Sequence, residues 1–223
     1  MSSDGTRVVT GSRDTAVMVW AVEATEMSEG RGLVYGERFR TERMLSDKPR
    51  AMLCGHDDTV TCVAVKTELD LVVSGSSDGT FIAHTLNGGR YLWSKAHPTK
   101  GPLEHLAVSR EGLIVVYSPQ DVTLHVCTVN GKWLGSVDEP EPINALALSS
   151  DEEFVMTGGN SGVVRVRWFH SLELQMVLDK NNIPITAITV TEEDCIVVGL
   201  EDGALLVYSV DAGALAKKRA SNP

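Results

Sequence analysis

The stretch VTCVAVKTELDLVVSGSSDGTFIAHTLNGGRYLWSK, residues 60–95, consists of four short apolar runs separated by turn residues. The runs are TCVAV, LVVSGS, FIAHTL and RYLWSK, and the connections are KTELD, SDG and NGG. Runs rich in Val, Ile, Leu and Thr that are bounded by Gly, Asp, Asn or Ser are typical of short antiparallel strands. The glycine of Asp78-Gly79 accepts the positive φ that a tight hairpin needs. The stretch therefore predicts a four-stranded antiparallel sheet.

This unit recurs along the chain with a nearly constant period. The segments VTCVAV (60–65), LEHLAV (103–108), INALAL (143–148) and ITAITV (185–190) begin 43, 40 and 42 residues apart. A turn residue recurs with spacings of 43, 40 and 41, at Asp78, Asp121, Ser161 and Asp202, and RVVTGSRDTAVMVWAV (7–22) adds a partial copy with Asp14 in its turn. Four-stranded units of about 40 to 45 residues are typical of propeller blades. We predict an all-β, incomplete β-propeller of about four to five blades.

The period also predicts how the chain is organised. Residues 1–22 form a partial blade, 23–50 an insertion, 51–211 the repeats of the same propeller, and 212–223 a tail that we expect to be disordered. The insertion is longer than a hairpin requires, and connections beyond about 12–15 residues are often disordered or functional. Segment 23–50 is accordingly either a disordered loop or a loop that binds a specific partner.

Composition limits the kinds of partner that we expect and the cellular compartment in which we expect the protein. The net charge of −10 and the pI near 5.0 argue against nucleic acid, because phosphate binding needs a clustered basic surface. The sequence shows neither a membrane-spanning apolar run nor a secretory signal, so we expect a cytoplasmic protein without direct membrane insertion. The four cysteines form no Cys-x-x-Cys pair, so we interpret them as small buried hydrophobes.

Several motifs resemble the WD40 repeat: LCGHDDTVTCVAV, SGSSDG and SRDTAVMVWAV. The resemblance implies a buried polar chain in which a turn Asp, a loop His, a strand Ser or Thr and a Trp bond to one another. By position, its members are His56, Ser74 and Asp78, then Thr10, Asp14 and Trp20, and also Asp121 and Asp202. The repeats are degenerate, because His84, Cys127, Arg167 and Tyr208 occupy the Trp position and Ser161 replaces an Asp. The period supports the propeller more firmly than the motif does.

A resemblance to one family covers nearly the whole chain. The segments GSRDTAVMVW, PRAMLCGHDDTVTCVAVKTELDLVVSGSSDG, IAHTLNGG, VNGKWLGSV and ALALSSDEEFVMTGGNSGVVRV, in this order, resemble the C-terminal propeller of neurobeachin and related BEACH-domain proteins. The resemblance implies a non-catalytic protein-interaction module at the end of a scaffold for vesicle and endosomal-lysosomal traffic. It also implies peripheral association with endomembranes through upstream domains, and the residues expected for a BEACH domain are not in this sequence.

The number of strands bears on whether the propeller is complete. We expect the last three strands of one blade, three whole blades and the first three strands of a fifth, whereas propellers of this family usually close with seven. The chain is then a C-terminal fragment or a short gene model. The alternative is a five-bladed ring that closes by joining its ends.

Sequence motifs for catalysis are weak. No Gly-x-Ser-x-Gly elbow occurs, the GGNSG segment at 158–162 joins two strands rather than opening a helix, and the histidines lack the spacing of metal ligands. We expect no enzymatic activity and no catalytic, cofactor or metal site. Two alternatives stay open, namely a propeller that binds or hydrolyses a small ligand in its central channel, and a generic WD40 adaptor of a multiprotein complex.

The loops between the first and second strands are acidic. The period places them on one face, and their acidic residues are Glu68, Asp70, Asp151, Glu152, Glu153, Glu192, Glu193 and Asp194. Acidic turns are often simply solvated. A cluster of them can also form a docking surface for a basic partner protein, where the charge raises the association rate and makes it depend on salt.

Overall fold

The computed structural model describes residues 1–2, 4–27, 40–178, 181–191 and 195–209. Within these ranges all regular secondary structure is β, which confirms the predicted fold class. None of the described residues belongs to a helix that could span a bilayer. The strands are β1 Arg7–Gly11, β2 Val17–Met27, β3 Arg40–Leu45, β4 Ala51–Leu53, β5 Val60–Lys66, β6 Leu71–Ser76, β7 Thr80–Thr85, β8 Tyr91–Ala96, β9 His105–Val108, β10 Leu113–Ser118, β11 Thr123–Thr128, β12 Trp133–Asp138, β13 Ile143–Leu148, β14 Phe154–Gly159, β15 Val164–Trp168, β16 Leu174–Val177, β17 Ile185–Val190, β18 Cys195–Leu200 and β19 Leu205–Ser209.

In the described part of the chain the strands form five antiparallel sheets, one for each repeat. Three sheets have four strands in chain order: β5 to β8, β9 to β12, and β13 to β16. The first sheet contains β1 to β4, with β3 and β4 both paired to β2, and the last contains β17 to β19. The leading strands β1, β5, β9, β13 and β17 contact one another in that order. This arrangement of adjacent blades is an incomplete β-propeller, as predicted.

The second strand of each complete blade is the most deeply buried. All six residues of β6, β10 and β14 are buried, because other blades cover both faces of these strands. Side chains alternate between the two faces of a strand. Val72 accordingly packs in the core between the first two blades, whereas Val73 packs in the core between the second and third. A strand buried on both faces reads as a continuous apolar run, as in LVVSGS and LIVVYS.

A separate hydrophobic core lies between each pair of adjacent blades, which gives four cores among the residues that the structure describes. Phe81 fills the core between the second and third blades, and Phe169 lies in the core between the third and fourth. Both are at most 1% exposed, and burying such a side chain contributes roughly 1.5–3 kcal/mol to folding. The repeat is therefore stabilised mainly by contacts between its copies.

The segment predicted as an insertion loop, 23–50, differs from that prediction at both ends. β2 continues to Met27 and pairs there with β3, from Val22–Leu45 to Met27–Arg40. The first half of β2 pairs with β4, so the first blade extends beyond the predicted boundary at 22. An eleven-residue strand with two successive partners satisfies the backbone hydrogen bonds of residues that a loop would leave to water. Residues 28–39, like the predicted tail at 212–223, lie outside the described residues.

Antiparallel order places the connections on two opposite faces. We call the face with the loops 67–70, 109–112 and 149–153 the ab face, because these loops join the first and second strands of a blade. We call the other face the bc face. It carries the turns between second and third strands, around Asp78, Asp121 and Ser161, and the connections between blades.

Candidate functional site

The bc face of the second blade brings together the three residues that the WD40 resemblance singles out. His56 Nε2 lies 2.8 Å from Ser74 Oγ, and its Nδ1 lies 3.4 Å from Asp78 Oδ2 and 3.0 Å from Thr80 Oγ1. Asp78 Oδ2 also accepts a 2.9 Å bond from the backbone N–H of Asp57. The loop before the blade, the second strand and the hairpin turn are thereby joined by side chains.

Burial determines the protonation of this cluster. Burial lowers the pKa of His56, although the nearby Asp78 carboxylate opposes the change. Burial alone would raise the pKa of Asp78. Hydrogen bonds from Thr80 and from the Asp57 N–H outweigh this effect of burial, and the pKa of Asp78 is lowered. At neutral pH the pair consists of a neutral imidazole and a carboxylate that is held by donors.

The first and last blades contain shorter versions of the cluster. In the first blade Trp20 Nε1 donates a 3.1 Å bond to Thr10 Oγ1, and Asp14 Oδ1 accepts a 3.1 Å bond from the Ala16 N–H within its turn. In the last blade Asp202 Oδ1 accepts a 2.9 Å bond from the N–H of Ala204. Tyr208, at the Trp position, accepts a bond from the Asn181 side chain instead.

The fourth blade replaces the polar chain with buried ion pairs that the sequence argument missed. Arg167, at the Trp position, donates from Nε to Glu139 at 2.8 Å, and both side chains are almost fully buried. Glu141 accepts bonds from the backbone N–H and hydroxyl of Ser161 and, at 3.0 Å, from Arg165. A sequence signal did exist, because two carboxylates alternate in the loop before the blade and two arginines alternate in its third strand.

The third blade contains the repeat counterparts of His56 and Asp78, because His97 and Asp121 follow them by 41 and 43 residues. Asp121 lies beside His125, with 3.6 Å between Oδ2 and Nε2, and the rings of His125 and His97 meet edge to face with centroids 4.6 Å apart. His97 lies in the connection between the second and third blades. The histidines lack the spacing of metal ligands along the chain, so only Asp121 of this cluster was singled out from sequence, and nothing in the WD40 resemblance points to His125.

Hydrogen bonds between adjacent blades brace the inner strands. Thr61 Oγ1 donates to the backbone oxygen of Leu103, and Asn144 Nδ2 donates to that of Ile185 at 3.0 Å. These donors lie at register shifts between the first and second strands, where the side chain turns toward the neighbouring blade. The hydroxyl of Tyr117 accepts a 3.0 Å bond from the N–H of Ile143, which joins the third blade to the fourth.

On the ab face, the predicted acidic residues differ in their surroundings. Glu152 forms an ion pair with Lys66 and lies 3.4 Å from the Nε of Arg110, so its charge is compensated by two other blades. Asp70 accepts bonds from the backbone and side-chain N–H groups of Asn87, and Asp151 accepts a bond from the hydroxyl of Ser149. The predicted members Glu192, Glu193 and Asp194 lie outside the described residues.

A cavity of about 350 Å³ opens beside Glu152 on the same face. Its acidic lining comprises Glu111, Asp151, Glu152 and Glu153, and its remaining lining comprises Arg110, Leu113, Trp168, Phe169 and His170. The cavity thus combines carboxylates with aromatic surface at the boundary between the third and fourth blades. Glu111 belongs to this surface, although the sequence analysis did not single it out.

The cysteines differ from one another. Burial raises the pKa of Cys127 to about 12 and that of Cys62 to about 11, so both are thiols at neutral pH. Cys127 packs in a core, as expected of a small hydrophobe, whereas Cys54 is exposed, contrary to that expectation. Cys54 lies in the connection that leads to the second blade, where the chain runs along the surface.

Comparison with known proteins identifies the family. Residues 1–218 match the model of the neurobeachin beta propeller domain. The chain is 42% identical over 212 residues to BEACH domain-containing protein B of Arabidopsis thaliana, covering 95% of this chain and 8% of that protein. It is 28% identical to BEACH domain-containing protein lvsE of Dictyostelium discoideum, covering 95% of this chain and 9% of that protein, and 30% identical to a putative neurobeachin homolog of Caenorhabditis briggsae, covering 92% and 8%.

The chain thus spans less than a tenth of the length of these relatives. Among solved structures, the computationally designed Ika4 protein is similar with a TM-score of 0.60 and 25% identity, covering 71% of this chain and 95% of that one. The repeats, the adjacent four-stranded blades and the family match agree with one another. The chain belongs to the neurobeachin β-propeller domain family.

Proposed function

We propose that this propeller is a non-catalytic protein-interaction module of a BEACH-type scaffold that acts in vesicle and endosomal-lysosomal traffic. The observation that carries the proposal is the match of residues 1–218 to the neurobeachin propeller, together with relatives that are named as BEACH-domain proteins. In this proposal the protein is cytoplasmic and associates peripherally with endomembranes through other parts of the scaffold, while the propeller selects a partner protein.

The ab face is the docking surface that we favour. Its loops come from the second, third and fourth blades, and the ion pairs of Glu152 with Lys66 and Arg110 hold them together. The acidic residues around Glu152 on this surface include Glu68, Glu111, Asp151 and Glu153. Carboxylates beside the aromatic lining of the 350 Å³ cavity suit a partner segment that carries Lys or Arg next to an apolar residue.

The test is affinity capture from cell extract with the 223-residue chain, followed by identification of the bound proteins and measurement of binding at rising ionic strength. The triple variant Glu68→Gln, Glu111→Gln and Glu153→Gln removes charge from the ab face. Asp57→Asn, on the bc face, is the matched control. We expect the triple variant to bind the captured partner more weakly and with less dependence on salt, and the control to bind normally. Equal binding of the partner by the parent chain, the triple variant and Asp57→Asn would exclude the ab face as the docking surface.

The trafficking role requires the whole scaffold. Deletion of this propeller from the full-length protein is expected to change the set of proteins that co-purify with it. It should leave the membrane-associated fraction largely intact, because the proposal assigns membrane association to other domains. Loss of membrane association with an unchanged set of protein partners would contradict this division of roles. A partner set without any trafficking component would instead favour a generic adaptor.

A further inference from the structure

Three potential metal ligands meet on the bc face between the second and third blades. His97 follows β8, Asp121 lies in the turn between β10 and β11, and His125 lies in β11. One ligand atom from each residue lies within 4.8 Å of the other two. The three residues come from a connection, a turn and a strand, so the propeller fold assembles the cluster.

The cluster is short of hydrogen bonds. Among the described residues, His97 Nε2, Asp121 Oδ1 and His125 Nε2 are all buried without a hydrogen-bond partner. His97 is only 1% exposed, and His125 Nε2 lies 3.6 Å from Asp121 Oδ2, beyond ordinary hydrogen-bond distance. An unsatisfied buried polar group costs about 1–3 kcal/mol, so three at one place need a compensating interaction.

In one of its two tautomers, His97 presents a nitrogen lone pair to the cluster. In one tautomer His97 Nδ1 accepts a 3.4 Å bond from the backbone N–H of Thr99, and in the other it donates to the hydroxyl oxygen of Thr99 at the shorter distance of 2.8 Å. When Nδ1 carries the proton and donates to this oxygen, the lone pair of Nε2 faces the cluster, which is the arrangement that outer-shell partners of metal-bound histidines enforce.

We propose that His97, Asp121 and His125 form a binding site for a divalent transition-metal ion, with Zn²⁺ as the best match. Two imidazole nitrogens and one carboxylate oxygen are ligands that Zn²⁺ accepts, and water would complete a four-coordinate shell. Ligand atoms within 4.8 Å of one another reach the usual 2.0–2.2 Å metal distances through small side-chain movements. The ion would tie the connection after the second blade to the hairpin of the third, so it would stabilise the boundary between these blades.

The test uses Zn²⁺ and the 223-residue chain after removal of any affinity tag. Isothermal titration and competition with a chromophoric chelator measure affinity and stoichiometry, and Co²⁺ substitution reports the coordination geometry through its visible absorption. We expect one Zn²⁺ per chain, a tetrahedral Co²⁺ spectrum and an increase in thermal stability with Zn²⁺. His97→Gln, Asp121→Asn and His125→Gln should each weaken binding by at least about 100-fold, a loss larger than that for an outer-shell residue.

Two further variants serve as controls. Thr99→Val tests the site without disturbing the fold, and His170→Gln tests whether Zn²⁺ binds at surface histidines. Thr99 is exposed, so its substitution leaves the cores intact, and loss of its hydroxyl should weaken Zn²⁺ binding by about 10–100-fold. His170 is exposed and lies outside the cluster, so His170→Gln should bind as the parent chain does. The proposal is overturned if the parent chain fails to bind Zn²⁺. It is equally overturned if folded His97→Gln and Asp121→Asn variants bind Zn²⁺ like the parent chain.

Discussion

Glu152 of the fourth blade forms an ion pair with Lys66 of the second, and each side chain is only 11% exposed. Eighty-six residues separate the two in sequence. The pair spans the loop of the intervening third blade, whose Arg110 also contacts Glu152. A contact of this kind can form only after three blades have packed side by side. It is therefore a direct reporter of propeller assembly on the ab face.

The Glu152–Lys66 pair predicts a coupled effect on stability. Glu152→Gln leaves the Lys66 ammonium without its counter-ion in a mostly buried site, and we expect a loss of about 1–3 kcal/mol in the free energy of unfolding by urea. In a Lys66→Met background the same substitution should cost less, because the unpaired charge is then absent. Glu173→Gln, at an exposed position, is the matched control and should change the stability by no more than about 0.5 kcal/mol. Equal costs of Glu152→Gln in both backgrounds would contradict the pairing.

The His56–Ser74 contact predicts that removal of the Ser74 hydroxyl lowers the free energy of unfolding. Ser74→Ala removes the hydroxyl that lies 2.8 Å from His56 Nε2, inside a site that is nearly closed to water. The free energy of unfolding should fall by about 1–3 kcal/mol. Ser94→Ala, on the exposed strand β8, is the control and should be close to neutral. Similar results for both serines would mean that the cluster does not stabilise the blade.

The ion pair of Arg167 with Glu139 predicts an asymmetry between single and double substitutions. Glu139→Gln leaves a buried guanidinium uncompensated, and we expect a loss of about 3–5 kcal/mol in chemical denaturation. The double variant Glu139→Gln and Arg167→Met should recover much of that loss, because no buried charge remains. A double variant that is less stable than the single one would show that Arg167 contributes mainly through its 3.1 Å bond to the backbone oxygen of Leu172.

The buried histidines predict that stability falls on mild acidification. Burial lowers the pKa of His56, His84 and His105 below their ordinary value of 6.5 in the folded chain. Between the folded and unfolded pKa values the unfolded chain binds more protons, so stability is fully present above about pH 6.5 and decreases as the pH falls toward the folded pKa values. Urea denaturation across this range should show the decrease, with a smaller slope in His56→Gln. A stability that rises on acidification from pH 6.5 would contradict the assignment.

The Asp78-Gly79 turn predicts a difference between two glycines with similar backbone conformations. Gly79 and Gly203 have φ values of +77° and +86°. A Cβ on Gly79 would lie 2.5 Å from the backbone oxygen of Lys100, whereas one on Gly203 would meet no atom within 4 Å. Gly203→Ala should therefore cost about 1–2 kcal/mol for the left-handed conformation alone. Gly79→Ala should cost clearly more in the same denaturation assay, and equal costs would mean that the turn shifts freely away from the neighbouring connection.

The repeat could be predicted from sequence because its signals are local. In the stretch 60–95, apolar runs and turn residues mark each strand, and the structure contains β5 to β8 at nearly the predicted positions. Period, strand order and the number of blades followed from copies of this pattern. The prediction for 23–50 was less accurate, because nothing local in VEATEM indicates that β2 continues to Met27 and pairs with a strand that begins thirteen residues later.

The polar sites depended on proximity in space. His56, Ser74 and Asp78 were found from sequence because a recurrent motif keeps them in one repeat. His97 and Asp121 occupy the equivalent positions one repeat later, but they meet a third residue, His125, that the motif does not include. The sequence by itself determined an all-β chain of propeller blades, since the alternation and turns of each sheet are encoded within about forty residues. Only the tertiary structure decided which charges are compensated and which ligands converge. These contacts join side chains of different blades, and the packing of the apolar faces determines which of them meet.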